Sequence, residues 1–278
     1  MSGFSPEWLA LREPIDHRSR DAAAAGRLAQ WVGQRESIAV VDVGCGTGSN
    51  LRATSQLLDV PRQTWTLVDY DARLLAAASE RLAAWSDRAI KDDDGLVLFK
   101  GRKTITVIFR QADLVKALDA ALGEKPDIVT ASAFFDLCST DFIERFTAAV
   151  TKRRAVFYTV LTYNGAQQWS PAHGADAAMA AAFHAHQMTD KGFGASAGPT
   201  APAALRRAFE RLGYGVAESD SPWRLTPADQ SLIDALVPGF AEAASETGKV
   251  GAGVIADWLS VRRNGAVVGH TDTLAMPA

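Results

Sequence analysis

Apolar, β-branched runs of strand length recur along the chain: IAVVDV (38–43), TWTLVD (64–69), PDIVTAS (126–132) and RAVFYTVL (154–161). They are continuous rather than alternating, the pattern of strands covered on both faces. Helical periodicity fills most of the gaps. After the first run the pattern predicts a helix beginning near Asn50, and after the second, Asp71 is an N-cap for a helix with Leu74, Leu75, Ala78, Leu82 and Trp85 on one face. After the third, DFIERF opens with Asp141 and has Glu144 three residues on, a helix-start signature. LVLF and TITVIF, separated by KGRK and preceded by the charged turn KDDDG (91–95), read as a hairpin whose second arm joins the main sheet. Strands alternating with helices argue for βαβ units and a doubly wound, mostly parallel α/β sheet with helices on both faces.

The two ends depart from this pattern. Residues 4–35 predict a helical cap, anchored by Trp8, Leu9, Leu11, Leu28, Trp31 and Val32 and interrupted near Pro14. The expected organisation is a cap at 1–35 and one α/β domain at 36–278, with a lid or insertion after the fifth strand at 162–200 and a helical insertion at 226–262, broken at Pro238. A helix through Leu205, Phe209 and Leu212, a short strand GVAES and a last strand AVVGHTDTLAM complete the reading.

Composition narrows the function without naming it. A formal charge of −3 gives no overall footprint for nucleic acid or anionic membrane. The N-terminus lacks the basic and apolar regions of a signal peptide and no segment has the length of a membrane span, so a cytoplasmic location is expected. The two cysteines, Cys45 and Cys138, have no metal-ligand spacing, and no metal is expected.

The chemistry concentrates in VVDVGCGTGSN (40–50), where three glycines follow a strand and open a helix. Such a turn places bare backbone and a helix N-terminus at the carboxyl edge of a parallel sheet, where ligands bind. Ser49 stands where a dinucleotide fingerprint requires Gly or Ala, none of the four tyrosines has a lysine four residues on, and no phosphate-loop pattern occurs.

The stretch resembles motif I of class I S-adenosylmethionine-dependent methyltransferases, and LVDYD and PDIVTASAFFDL resemble the second-strand and fourth-strand motifs of that family. The resemblance covers roughly residues 36–161. It implies a Rossmann-like, seven-stranded sheet whose last strand is antiparallel, and S-adenosylmethionine as cofactor. Gly44, Cys45, Gly46 and Gly48 would form the binding loop. Asp69 would hold both ribose hydroxyls, Tyr70 would flank the adenine and Asp113 would accept from its amino group. Asp42 would help position the methionine end, and Ser132 would line the path to the acceptor.

The implied reaction is methyl transfer to an O, N or C atom of a small molecule by in-line displacement. Positioning and water exclusion supply most of such an acceleration, with a general base needed only where the nucleophile sheds a proton. Asp136 and Tyr163, just past the fourth and fifth strands, and His184, in the segment that follows, are the catalytic candidates. His184 and His186, two apart on one helix, point in different directions and are disfavoured as joint metal ligands. The cluster Arg12, Asp16, His17, Arg18 and Arg20 reads either as a contact for an anionic substrate group or as a solvated face. Competing readings are methylation of RNA or protein, a nicotinamide (NAD(P)) oxidoreductase, and a cofactor-binding regulator without turnover.

Overall fold

The structure is a computed structural model that describes residues 4–92 and 95–278, so the middle of the charged turn at 91–95 lies outside the described residues. Its strands are β1 (Ser37–Val43), β2 (Arg62–Asp69), β3 (Arg88–Asp92), β4 (Gly95–Lys100), β5 (Lys103–Gln111), β6 (Ile128–Ser132), β7 (Val156–Ser170), β8 (Tyr214–Asp220), β9 (Trp223–Leu225) and β10 (Gly265–Pro277). They form a single sheet in the order β3-β4-β5-β2-β1-β6-β7-β10-β8, with β9 paired to β10. From β5 to β7 neighbouring strands are parallel, and β10 runs antiparallel to both β7 and β8. Among the described residues the sheet therefore has ten strands and not the seven expected. The β4–β5 hairpin is present, but β3 extends that edge, and β9 adds a short antiparallel strand against β10. RAIKD (88–92) carries too little apolar pattern to announce β3, which forms because β4 offers it an open edge.

The helices are α1 (Pro6–Ser19), α2 (Ala22–Val32), α3 (Ser49–Leu57), α4 (Ala72–Trp85), α5 (Leu114–Leu122), α6 (Thr140–Lys152), α7 (Asp176–Gln187), α8 (Ala201–Arg211), α9 (Gln230–Glu246) and α10 (Ala252–Ser260). Alternation along each strand sorts side chains between two cores. Ile38 and Val40 of β1 pack on one face with Leu28, Leu82 and Phe240, while Val41 and Val43 pack on the other with Phe142, Phe146 and Phe209. Asp71 caps α4 as its position predicts, accepting from the Arg73 N–H at 2.8 Å. The cap of α6 is Ser139 rather than Asp141, because the Ser139 hydroxyl reaches the Phe142 N–H at 3.1 Å.

Neither Pro14 nor Pro238 interrupts its helix. Both prolines are exposed, and so are Ala10 and Asp234, whose carbonyls lose their intrahelical donors on a face open to solvent. β7 also outruns its predicted end at Leu161. β10 pairs with it as far as Ser170, through two register shifts, so the connection beyond the fifth parallel strand begins at Pro171.

Candidate cofactor and acceptor site

β1 ends against a turn in which Gly44, Gly46 and Gly48 have φ of +63°, +54° and +76°, values that L side chains rarely adopt. Gly48 is the N-cap of α3. A Cβ on Gly44 would stand 2.5 Å from the Phe134 ring, one on Gly46 3.1 Å from Leu9 and one on Gly48 3.2 Å from Leu82. The bare backbone thus admits close side-chain packing as well as facing a cavity of about 640 Å³ that opens over the carboxyl ends of β1, β2, β5 and β6.

The turn is tied to β2 by Asp69. Its Oδ2 accepts the Gly46 N–H at 2.9 Å and its Oδ1 the Asp71 N–H at 3.0 Å. Burial pushes this carboxyl above its ordinary range, and the backbone donors pull it back. Each oxygen keeps acceptor capacity toward the cavity, the arrangement that grips a vicinal diol. Gly44, Cys45, Gly46, Tyr70, Asp113 and Ser132 also line the cavity, whereas Gly48 sits behind it under Leu82. Tyr70 is more than half exposed at the rim. Asp113 caps α5 through the Val115 N–H at 3.0 Å, and its ion pair with Lys116 holds its carboxyl below the usual range. Burial pushes the Cys45 thiol far up, which makes it a small apolar wall.

Asp42 is placed differently from the position implied for it. It is fully buried behind the turn and does not line the cavity. Its Oδ1 accepts from Asn50 Nδ2 at 2.7 Å, its Oδ2 has no partner among the described residues, and burial raises its pKa to about 7. Asn50, which also donates to Thr130 Oγ1 at 3.1 Å, is the one that reaches the cavity, so Asp42 acts as a positioning residue behind it. The sequence offered only a weak signal for Asn50, a polar residue in the first turn of α3.

The three catalytic candidates do not line the cavity either. Asp136 lies in a 3-10 turn, Phe135–Leu137, with Oδ1 buried and unpartnered among the described residues, and burial raises its pKa to about 6. Tyr163 and His184 spend their polar atoms on each other, with the hydroxyl 2.9 Å from His184 Nε2 and a further bond from Gln167. Nε2 also faces the Gly165 carbonyl at 3.1 Å; a carbonyl only accepts, so this nitrogen carries the proton. Burial pushes the Tyr163 phenol up, away from any role as a base. His186 turns instead to Glu246 at 2.9 Å, and among the described residues no group of three potential metal ligands occurs.

The charged N-terminal cluster is divided between solvent and site. Arg18 is exposed and pairs with the largely covered Asp229, whereas Arg12 and Asp16 are buried and line the cavity with Phe4, Leu9, Phe134 and Phe193. Helix α1 is clamped over the glycine turn. Glu13 pairs with Arg52 at 2.6 Å, Arg52 donates to the Thr47 carbonyl at 2.9 Å, and His17 bonds Ser49 Oγ at 3.0 Å.

No protein-family model and no curated protein matches the sequence. Among solved structures, the chain is similar to a candidate methyltransferase from Bacillus halodurans C-125, with a TM-score of 0.53 and 13% identity over 92% of this chain and all of that one. It is also similar to the YcgJ protein of Bacillus subtilis, with a TM-score of 0.51 and 11% identity over 92% of this chain and 99% of that one. The chain shares the α/β fold of these two proteins, the first of which is described as a methyltransferase. Among the described residues no helix is long and apolar enough to cross a membrane.

Proposed function

We propose that the protein transfers a methyl group from S-adenosylmethionine to a small-molecule acceptor. The observation that carries this reading is Asp69, a carboxylate without a salt bridge among the described residues, held on the Gly46 and Asp71 N–H groups at the wall of a cavity against the glycine turn. A nucleoside fits these residues. The acceptor capacity left on Asp69 suits a ribose diol, and Tyr70, Ala112 and Leu114 line the neighbouring wall beside Asp113. Ser132 offers a hydroxyl to an amino-acid tail, beside Asn50, whose amide is held by Asp42, Thr130 and Thr54.

Bound there, the cofactor supplies an electrophilic methyl on a sulfonium centre. The chain's own work is to hold two partners in line and keep water out. Leu9, Phe4, Phe134, Leu137 and Phe193 supply an apolar wall at the acceptor end. Asp136, next in sequence to Leu137 of that wall, is a buried carboxyl with Oδ1 unpartnered among the described residues, and is the group we assign to taking a proton where the acceptor must shed one. Calorimetric titration with S-adenosylhomocysteine tests the reading: the wild type binds, and Asp69→Ala binds much more weakly. Failure of folded wild type to bind would overturn it.

A further inference from the structure

The cavity wall contributed by α1 contains an ion pair in an unusual position. Arg12 is 9% exposed and Asp16 6% exposed, and the pair faces inward from α1. Removing two charges from water costs several kcal/mol per ion, and apolar residues of similar volume are often as good or better for stability. A buried pair bordering a cavity is thus a poor structural device and a good candidate for recognition.

Its geometry is specific. Arg12 Nε donates to Asp16 Oδ2 at 2.8 Å and Nη2 to Oδ1 at 3.3 Å, so one edge of the guanidinium is occupied. Asp16 is in turn fixed by Trp223 Nε1, which donates to Oδ1 at 3.0 Å, and the Trp223 ring lies 5.1 Å beneath the guanidinium carbon. Among the described residues no hydrogen bond involves Nη1. A guanidinium presents two edges for bidentate pairing, and here the Nη1–Nη2 edge remains available on a side chain that Asp16 and Trp223 hold still. Asp136 and His270 lie in the field of Arg12, but neither hydrogen bonds to it. Lys191, on the same cavity, adds positive charge that the neutral Arg12–Asp16 pair does not provide.

We infer that the free edge of Arg12 is a carboxylate-reading site within the cavity, held in register by Asp16 and Trp223. This rests on the methyltransferase reading for its context, and the carboxylate has two sources there: the amino-acid tail of the cofactor or an anionic group on an apolar acceptor.

The test uses the full chain and four probes, measured by calorimetry on wild type and Arg12→Lys, which keeps a charge beside Asp16 but loses the planar fork. S-adenosylhomocysteine is compared with 5′-methylthioadenosine, which lacks the tail, and phenylacetate with phenylacetamide. If the tail is read, Arg12→Lys weakens S-adenosylhomocysteine at least tenfold and leaves methylthioadenosine unchanged. If the acceptor is read, S-adenosylhomocysteine is unaffected and the wild-type preference for phenylacetate over its amide disappears. A substitution that alters neither comparison overturns the proposal. Wild type that binds neither nucleoside defeats the cofactor reading instead, and the phenylacetate pair then decides the role of Arg12. Because the two ligand comparisons are also made on wild type alone, a poorly folding variant does not spare the proposal: equal wild-type affinities within both pairs overturn it as well.

Discussion

Asp69 and Gly46 are joined across the top of the sheet by a 2.9 Å hydrogen bond from the Gly46 N–H to Oδ2, while Oδ1 takes the Asp71 N–H at 3.0 Å. The carboxylate therefore shapes the turn and faces the cavity at once. Asn cannot replace it, because one of its two polar atoms is an NH2 group that would meet a backbone donor. Asp69→Asn and Asp69→Ala should both weaken S-adenosylhomocysteine by about 2 kcal/mol or more, on the scale of a lost charge-assisted bond with a donor left unpaired. Calorimetry on folded variants checks this; unchanged affinity in both would remove Asp69 from the site.

Gly44 and Gly46 separate packing from binding. A Cβ on Gly44 meets the Phe134 ring at 2.5 Å at a φ of +63°, so Gly44→Ala combines left-handed strain with overpacking of a residue in an aromatic cluster. The expected loss is about 2–4 kcal/mol. On Gly46 the nearest atom is the end of Leu9, a side chain able to shift, so Gly46→Ala should cost less stability. Urea denaturation of the two variants gives the comparison, and equal losses would mean that Phe134 yields as readily as Leu9.

The alternation of apolar runs with helical periods made the parallel strands legible, and the glycine turn with Asp69 pointed to one wall of the cavity, because both depend on local spacing. The wall that α1 contributes did not show in the same way. Arg12 and Asp16 stand in a charged stretch of α1 whose sequence fits a solvated face equally well. Only the packing of that helix over the turn, with Trp223 arriving from more than 200 residues away, buries them. Asp42 shows the reverse error: a motif position implied a ligand contact, and the alternation of β1 turned its side chain under α3. Pro14 and Pro238 misled for a third reason: each stands on an exposed face with an exposed residue four positions before it, and there the helix continues through the proline.

Asp42 sets a pH dependence of stability. Its ordinary value of 3.8 rises to about 7 in the folded chain, chiefly through burial. The folded state therefore holds a proton that the unfolded chain has released between these values, and stability falls as pH rises from about 4 through about 7. Asp42→Asn keeps an oxygen for Asn50 and carries no charge. Its melting temperature relative to wild type should climb between pH 5 and pH 8. A difference that stays constant across that range would show that Asp42 is ionised throughout, balanced by Arg20 or by water.

Glu13 tests whether α1 belongs to the binding machinery. Its carboxylate holds Arg52 with two 2.6 Å bonds, and Arg52 in turn holds the Thr47 carbonyl inside the glycine turn. Burial opposes ionisation of Glu13, but the Arg52 bonds and charge outweigh it and leave the carboxyl below its ordinary 4.5. The pair's contribution is thus present above that value and lost as acid protonates Glu13 at lower pH. Glu13→Gln keeps the shape of the clamp and loses its charge, leaving a nearly buried guanidinium underpaired, at an expected cost of about 2–4 kcal/mol. Because the same guanidinium fixes the turn, S-adenosylhomocysteine should also bind several-fold more weakly, and the stability gap to wild type should stay constant above about pH 4.5 and shrink as the pH falls below it. A loss of stability with undiminished affinity would make α1 a brace for the fold with no hold on the ligand.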